Sequence, residues 1–487
     1  MSERRIKPIG FTLGLAAFAA LAFLPTPLQH FGKFDNSPAH AAAAVALMAI
    51  WWLTEALPIY WTACVPLVLF PVLRVSPGGF LENLRAAAGP YVDPYIFLFA
   101  GGLMIAAAMQ QWNLHRRLAL GVMNRLGADP PRLLAGFLAA TAFISLWISN
   151  TATAAMMLPI GLALMAQLET QVGRRLPHYG MAIMLAIAYG SNIGGIGTKI
   201  GTAPNAQFAG FLERLGTSIS FVQFMIVGLP FVLFFLPVAW WVLWRIARRE
   251  ELSGDLGGEA LHREIAKLGQ VKRGEAIVLA VFLAAAALWI GAKPLTEVLQ
   301  GRFGKAVGSS HVEGGIAVLA ALVLLALSTG GRRVLAPRSL RTVPWETLLL
   351  LGGGFSMAAA VQGSGLSQWA AVQLEVVRGM PAFEQVLLAS VVTVAVSAVA
   401  SNTSTIAIML VVLKDAAAPE ALHTVLFAAT IACSCDFALP AGTPPNAIVF
   451  GSGYVTIPRM ARTGILLDLA AAVLAAAWCW LIVPRVL

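Results

Sequence analysis

Long apolar runs restrict the fold of this chain more than any other feature of its sequence. They recur from one end to the other, and the clearest cover residues 10–24, 41–57, 221–246, 276–292, 314–327 and 464–483. A helix needs about 20 apolar residues to cross the hydrocarbon core of a bilayer, and these runs approach or exceed that length. The sequence therefore predicts a polytopic membrane protein with about ten to twelve spans.

The composition argues against a soluble protein. Of the 487 residues, 59% are hydrophobic and 11% are charged, whereas an ordinary soluble domain carries about 25% charged residues. The formal net charge is +10, but the basic residues lie in short loops between the apolar runs, which is the pattern of the positive-inside rule. We interpret them as contacts to membrane lipid and expect no nucleic acid partner.

The amino-terminal segment carries Arg4, Arg5 and Lys7 ahead of the first apolar run. No small-residue cleavage site follows, so we expect a retained, cytoplasmic amino terminus in a bacterial inner membrane. The cysteines show neither a CxxC pair nor zinc-like spacing, which indicates buried thiols. They are Cys64, Cys433, Cys435 and Cys479.

The two halves of the chain carry the same landmarks in the same order. A hydrophilic stretch at 245–275 separates residues 1–244 from residues 276–487 and is typical of a cytoplasmic linker. Ser149-Asn150-Thr151 corresponds to Ser401-Asn402-Thr403, and Gly102 to Gly354, both at an offset of 252 residues (149 to 401 and 102 to 354). The segment GTAPNA at 201–206 is matched by GTPPNA at 442–447. The sequence therefore predicts two structural repeats, which we expect to be inverted in the membrane.

Each Ser-Asn-Thr tripeptide interrupts a long apolar run. Asn, Ser and Thr offer the backbone competing hydrogen bonds, so each tripeptide predicts a point where a helix breaks and turns back. Secondary transporters bind substrate at such breaks, because half-helix N-termini attract anions and freed carbonyl groups hold cations. Helix–helix hydrogen bonding would explain one such tripeptide, but the duplication favours a binding site.

The two Gly-Thr-x-Pro-Asn segments predict unwound helix at membrane depth. Glycine allows unusual backbone angles and proline removes a hydrogen-bond donor. Unwound backbone is tolerated there only where it lines a cavity or is buried in protein. Because no arginine lies in or near these motifs, a cation such as sodium, held by hydroxyl, amide and carbonyl oxygens, would have to neutralise a dianionic substrate. That cation would couple uptake to its gradient.

These motifs resemble those of the divalent anion/sodium symporters, which include carriers of dicarboxylates, citrate and sulfate. The resemblance covers nearly the whole chain and extends to the segments FLFAGG at 97–102 and LLGGG at 350–354. It implies an all-α fold of two inverted repeats, with about eleven transmembrane helices and two re-entrant helical hairpins. It also implies a homodimer whose scaffold domain forms the dimer contact and whose transport domain moves as an elevator.

The resemblance further assigns the site residues. A first sodium site would use Ser145, Ser149, Asn150 and the backbone near Gly201. A second would use Ser397, Ala400, Asn402 and the backbone near Gly442. The substrate carboxylates would contact Asn150, Thr151, Asn402, Thr403, Thr443 and Pro444, with Thr202 as a further contact.

Two ionisable residues depart from the pattern of that family. Lys199 and Asp436 stand where uncharged residues are usual, and Ala203 replaces the usual proline of the first motif. Ionisable groups at this depth are candidates for coupling, so the Lys199 ammonium could replace a sodium ion, or Asp436 could carry a proton. The structural alternatives are that Lys199 extends to the membrane interface or pairs with Asp436.

The sequence thus predicts a secondary active transporter that carries a small divalent anion by cation-coupled symport. A C4-dicarboxylate such as succinate, malate or fumarate is the expected substrate, and the coupling ion is the only expected cofactor. The alternatives are a sodium-independent dicarboxylate or citrate exchanger, a proton-coupled carrier that uses Lys199 or Asp436, a sulfate carrier, an arsenite or sodium/proton transporter, and a channel. An enzyme is not expected, since no HExxH motif, repeated intramembrane Asp pair or histidine cluster is present, and we assign no catalytic residue.

Overall fold

The fold is taken from a computed structural model that describes residues 7–31, 37–252, 254 and 257–487. Within these residues the secondary structure is helical apart from one two-stranded antiparallel ribbon. The basic residues Arg4 and Arg5, on which the predicted orientation of the amino terminus depends, lie outside the described residues.

The first half of the chain folds into a series of helices joined by short turns. They are α1 (Pro8–Phe23), α2 (Ser37–Thr54), α3 (Ile59–Thr62), α4 (Val65–Leu73), α5 (Phe80–Ala88), α6 (Pro94–Gln111), α7 (Leu114–Leu126), α8 (Pro130–Ser145), α9 (Asn150–Val172), α10 (Pro177–Gly195), α11 (Ala203–Arg214) and α12 (Phe221–Ala247). Short 3-10 helices cover Pro27–Phe31, Gly89–Val92 and Arg248–Glu250.

The second half has the same character. It is preceded by α13 (Gly258–Ala266), which lies in the linker. The elements that follow are α14 (Arg273–Ile290), α15 (Ala292–Phe303), α16 (Ser309–Ala326), strands β1 (Ser328–Thr329) and β2 (Arg332–Arg333), a 3-10 helix (Pro337–Thr342), α17 (Trp345–Ser364), α18 (Leu366–Gln373), α19 (Glu375–Arg378), α20 (Ala382–Ser397), α21 (Asn402–Ala416), α22 (Leu422–Cys433), α23 (Pro444–Phe450) and α24 (Ile457–Val486).

The predicted all-α polytopic architecture is confirmed. Among the described residues, 8 helical segments are long and apolar enough to cross a membrane. Four shorter apolar helices accompany them, at Pro8–Phe23, Ile59–Leu73, Ala382–Ser397 and Leu422–Cys433. Two of these twelve segments, Asn150–Val172 and Ala382–Ser397, belong to the helical hairpins described below. The other ten, together with α10, number eleven, which is the count that the family resemblance implies; α10 itself is not among the segments that are apolar enough to span a membrane.

The helices that carry the motifs occupy the centre of the molecule. Residues 179–195 of α10 and 424–433 of α22 are all buried. A helix that is buried on every face lies in the protein core and not at the lipid boundary. Here α10 packs against α8, α9 and α12, and α22 packs against α20, α21 and α24.

The outer helices leave one apolar face uncovered. Large exposed side chains lie on α12, α14 and α24, among them Leu233, Phe234, Leu283 and Leu466. Exposed apolar surface of this extent would aggregate a soluble protein, whereas hydrocarbon chains solvate it in a membrane. The buried motifs and the lipid-facing exterior together place the polar chemistry of the chain inside the helical assembly.

The hydrophilic linker predicted at 245–275 is ordered where the structure describes it. Arg116 pairs with Glu264 of α13, and the guanidinium of Arg117 lies 2.5 Å from the carboxylate of Glu275 at the start of α14. Burial raises the pKa of the Glu264 carboxyl, but hydrogen bonds from Lys267 and Arg116 outweigh it and hold that pKa below its usual range. The linker therefore docks on α7 through ion pairs.

Candidate transport site

The first Ser-Asn-Thr motif forms the tip of a helical hairpin. Helix α8 ends at Ser145 and α9 begins at Asn150, and the two helices pack against each other. The Ser145 hydroxyl oxygen lies 3.0 Å from Asn150 Oδ1 and 2.6 Å from the carbonyl oxygen of Ser191 on α10. A hydroxyl has one proton and can donate it to only one of these acceptors at a time. Three converging oxygens therefore share one proton.

The second Ser-Asn-Thr motif repeats this geometry. Helix α20 ends at Ser397 and α21 begins at Asn402. The Ser397 hydroxyl lies 2.9 Å from Asn402 Oδ1 and 2.8 Å from the carbonyl oxygen of Cys433 on α22. The Cys433 thiol lies 2.8 Å from the carbonyl oxygen of Asn402. The break predicted at each tripeptide is thus present, and each hairpin tip is fastened to a neighbouring helix by the serine that precedes the break.

The two Gly-Thr-x-Pro-Asn segments are unwound, as the sequence predicts. The first break separates α10 from α11 over residues 196–202, and the second separates α22 from α23 over residues 434–443. Asn205 donates from Nδ2 to the carbonyl oxygens of Gly195 (2.8 Å) and Thr198 (2.7 Å). Asn446 donates in the same way to Asp436 (3.2 Å) and Leu439 (3.0 Å). Each motif asparagine therefore satisfies carbonyl groups that the interrupted helix leaves open.

The first hairpin tip lies against the first unwound segment. The Thr198 hydroxyl donates to the carbonyl oxygen of Leu146 at 2.5 Å and accepts from the amide of Gly201 at 3.1 Å. A side chain at Gly195 would collide with the Asn150 side chain, and one at Gly201 would collide with the backbone of Gly195. Ser145, Asn150 and Gly201, predicted to share a site, are therefore brought together, with Gly195 between them. Ser149 caps α9 beside them without a side-chain hydrogen bond.

Polar contacts also join the two halves. Asn192 donates from Nδ2 to the Asp436 carbonyl oxygen and to the Thr443 hydroxyl, both at 3.2 Å. The Tyr189 hydroxyl donates to the carbonyl oxygen of Phe437 at 3.0 Å. The central helix of the first half thus contacts the unwound segment of the second half, so the duplicated motifs form one continuous polar region.

The predicted substrate contacts differ in accessibility. Thr151 and Pro444 are exposed, whereas Asn150, Asn402 and Thr403 are half-buried. Thr202 and Thr443 are buried, and the Thr443 hydroxyl also caps α23 by accepting from the amide of Asn446. Ala400 is buried in the turn between α20 and α21. The accessible candidates are therefore the hairpin-tip residues and Pro444.

A separate cleft, of about 540 Å³, opens between the end of α9 and the loop before α24. Its lining includes Glu169, Arg174, Arg175 and Tyr454, and none of the predicted site residues. The cleft is open to the exterior and lies apart from the motifs. We do not assign the transport site to it.

Comparison with known proteins identifies the family of this chain. The family model described as "Sodium:sulfate symporter transmembrane region" matches residues 7–485. The chain belongs to the sodium:sulfate symporter family. This family, which corresponds to the divalent anion/sodium symporters, consists of multi-pass membrane transporters, so the chain is a transporter and not an enzyme.

Individual relatives of this symporter cover almost its whole length. The sodium-dependent dicarboxylate transporter SdcS of Staphylococcus saprophyticus is 35% identical over 490 residues, which is 98% of this chain and 92% of the relative. SdcS of Staphylococcus aureus is 34% identical over 494 residues, with the same coverage. The crystal structure of the YdaH transporter of Alcanivorax borkumensis aligns with a TM-score of 0.56 and 13% identity, covering 91% of this chain and 98% of that one. The last similarity concerns the fold alone.

Lys199 has a partner that sequence analysis missed. Its side chain is fully buried, and Nζ lies 2.7 Å from a carboxylate oxygen of Glu313 on α16 and donates to the carbonyl oxygen of Ile219 at 2.5 Å. The other Glu313 oxygen accepts from the amide of Phe221 at 2.7 Å. Both structural alternatives predicted for Lys199 are therefore wrong: it neither extends to an interface nor pairs with Asp436. The only sequence signal for Glu313 was a single acidic residue at the start of an apolar run.

Asp436 lies at the second unwound segment and is also fully buried. Its carboxylate lies against Gly442, in the space that a side chain at that position would take. In the described part of the chain no side chain donates to either carboxylate oxygen, and the backbone amide of Ala438 is the group that stabilises its charge. Asn205 Oδ1 and Asn446 Oδ1 lack partners as well. The polar region therefore contains several buried oxygen atoms without a donor.

Proposed function

We propose that this symporter carries C4-dicarboxylates such as succinate, malate or fumarate together with sodium. The observation that carries the proposal is the duplicated oxygen cluster at the hairpin tips, in which Ser145 and Ser397 each supply one proton to a set of three oxygens. An excess of oxygen acceptors repels anions but suits a hard cation. The sodium-dependent dicarboxylate transporters among its relatives support the same reading.

The anion would bind beside the cations, at the beginnings of α9 and α21. Ser149 and Ser401 precede these helices in extended conformation, and neither side chain caps its helix. The first amide groups of each helix are left without intrahelical partners, and together with the helix dipole they attract carboxylates. Thr151 and Thr403 stand next to these amides and would supply hydroxyl donors. Two helix starts, one from each repeat, suit a ligand with two carboxylates.

Bound sodium would lower the free-energy cost of placing a dianion in the site. A dianion alone pays a large desolvation penalty inside a membrane protein. Sodium ions at both hairpin tips would offset that charge, and a complex with net positive charge would be driven inward by about 2.3 kcal/mol per charge for each 100 mV.

Sulfate is the second candidate substrate, favoured by the description of the matching family model. Exchange without sodium, with Lys199 in place of the ion, loses support because its ammonium is engaged by Glu313 and the Ile219 carbonyl. Proton coupling and citrate transport stay as alternatives that the transport assay distinguishes.

We further infer that the protein is a homodimer in a bacterial cytoplasmic membrane and that its amino terminus is cytoplasmic. We also infer that a transport domain moves as an elevator against a scaffold domain. In this view α8–α12 and α20–α24 form the transport domain, and the remaining spans form the scaffold. The inference rests on the resemblance of the motifs to those of the family.

Uptake into liposomes tests the proposed function. We expect labelled succinate to accumulate when an inward sodium gradient is imposed, and not with an equal gradient of potassium or choline. Uptake that needs only internal succinate would establish an exchanger, and uptake that needs only a proton gradient would establish a proton-coupled carrier. Accumulation of sulfate but not of succinate would show that the substrate is sulfate and not a C4-dicarboxylate.

A further inference from the structure

The two repeats differ at one position beside the hairpin tips. Asn205 and Asn446 are equivalent motif residues, and each donates to the carbonyl oxygen of the residue ten positions before it. The residue so bound is Gly195 in the first half and Asp436 in the second. One repeat therefore has no side chain where the other has a carboxylate.

In the first half this position borders the cation ligands predicted there. An added side chain at Gly195 would meet the amide oxygen of Asn150, and Gly201 lies directly against the Gly195 backbone. Asn150, Gly195 and Gly201 thus surround one small space. The groups that border that space in the first half, the Asn150 amide and the Gly195 backbone, are uncharged.

In the second half the equivalent space receives a charged group. The Asp436 carboxylate lies against Gly442, the equivalent of Gly201, and Asp436 follows three residues after Cys433, whose thiol is buried. That thiol contacts the carbonyl oxygen of Asn402 at 2.8 Å and the Ser397 hydroxyl at 3.9 Å. The segment that carries the carboxylate therefore begins at the second hairpin tip.

No cationic side chain compensates this carboxylate in the described residues. Its electrostatic partners are Asp468, which is also acidic, and the amide of Ala438. Asp468 is itself bound to the amide of Phe437 at 2.8 Å. A buried carboxylate without a charged partner is strongly disfavoured, so a bound cation or a proton has to neutralise this group. Asn446 Oδ1, also buried and without a partner, offers a second ligand oxygen.

We propose that the Asp436 carboxylate is a direct ligand of a sodium ion bound at the second hairpin tip, which makes that cation site anionic while the site of the first half stays neutral. The proposal rests on the sodium coupling proposed above and assigns one of its sites a charged ligand. Two consequences follow. The second site binds sodium more tightly than the first, and it does so before the anion arrives, because the bare carboxylate repels a dianion.

The neighbouring glycine provides a steric test. Gly442 leaves the room that the carboxylate occupies, so Gly442→Ala displaces the Asp436 side chain. Gly442→Ala should therefore weaken sodium binding as Asp436→Asn does. The double variant Asp436→Ala with Gly442→Ala removes the clash, and it should fold like the parent while binding sodium weakly.

The experiment measures sodium binding without substrate. The melting temperature of the purified protein is recorded over a sodium chloride titration at constant ionic strength, with choline as the balancing cation. We expect the apparent sodium Kd of the parent to rise at least about tenfold in Asp436→Asn, since a charged ligand is lost near the ion. Asp415→Asn, which removes a buried carboxylate at the far end of α21, is the matched control and should leave the Kd unchanged.

The outcomes separate this proposal from the proposed function. An unchanged sodium Kd in both Asp436→Asn and the double variant overturns the proposal, even if succinate uptake is driven by sodium. The absence of any stabilisation of the parent by sodium overturns it too. A raised Kd in these variants supports it even if the transported anion proves to be sulfate and not succinate.

Discussion

At the scale of single residues, the site is defined by buried oxygen atoms that lack a donor of their own. Ser145 and Ser397 each face two acceptors with one hydroxyl proton, and the amide oxygens of Asn205 and Asn446 have no donor in the described residues. Buried acceptors without donors are costly in a structural role. The same excess of acceptors is what a sodium ion requires, so the cost becomes binding energy when the ion is present.

Asn402→Ala should abolish succinate uptake while leaving expression intact. The substitution removes the amide oxygen that lies 2.9 Å from the Ser397 hydroxyl and one proposed sodium ligand with it. Thr403→Ala, which removes a proposed substrate contact, should have the same effect. Ser390→Ala is the control, because its hydroxyl bonds within the same hairpin to the carbonyl oxygen of Val386, away from the tip. Normal uptake by Asn402→Ala would remove this residue from the site.

At the scale of helices, the Lys199–Glu313 pair ties together three elements. Lys199 lies in the unwound segment after α10, Glu313 lies on α16, and the amide of Phe221 that Glu313 also binds begins α12. Removing one member of a buried ion pair leaves an uncompensated charge, at a cost of about 3–5 kcal/mol, whereas replacing both by neutral groups is often tolerated.

Lys199→Met should therefore lower the melting temperature sharply, and the double variant Lys199→Met with Glu313→Gln should recover most of the loss. Thermal unfolding in detergent measures both. If the ammonium is purely structural, the sodium dependence of uptake in the double variant matches the parent. A double variant with stronger sodium dependence would instead return Lys199 to a coupling role.

Close packing of α6 against α16 gives a second prediction at this scale. A methyl group at Gly314 would lie 2.8 Å from the carbonyl oxygen of Pro94, whereas one at Gly315 meets nothing within 4 Å. Gly314→Ala should destabilise the protein. Gly315→Ala, one residue further along the same helix, should be neutral or stabilise it by up to about 1 kcal/mol, since alanine favours helix over glycine. Equal melting temperatures for the two variants would contradict this packing.

At the scale of the whole molecule, the sequence predicts more of the fold than of the site. The thickness of the bilayer sets the length of an apolar run that can span it, so the spans can be located from the sequence alone. The breaks at Ser149-Asn150-Thr151 and its counterpart were also visible, because local hydrogen-bonding chemistry decides where a helix ends.

Contacts between segments that are distant in the chain could not be predicted from the sequence in this way. Ser191 and Cys433, whose carbonyl oxygens complete the two clusters, lie in stretches of small residues before the unwound segments, but no local pattern indicates which hairpin each one contacts. Glu313 pairs with Lys199 across 114 residues of sequence, and no local rule connects them. Asp436 is an unusual residue at this depth in the sequence alone, but its position against Gly442 depends on the folded loop.

The proposed homodimer is tested on the intact protein. Light scattering of the purified, detergent-solubilised protein should give a protein mass of twice the 51.4 kDa of one chain. The expectation follows from the family resemblance and from the apolar faces that the spans leave uncovered. A protein mass equal to one chain under conditions that preserve transport would contradict the dimer.

The central claim is that the duplicated motifs form one site in which a dicarboxylate binds together with sodium. Equilibrium binding of labelled succinate to the purified protein, in sodium or in choline at equal ionic strength, tests it most directly. We predict saturable binding in sodium and little or none in choline, because the dianion lacks its counter-charge without the ion. Binding of equal affinity in choline, or none in sodium, would contradict the account.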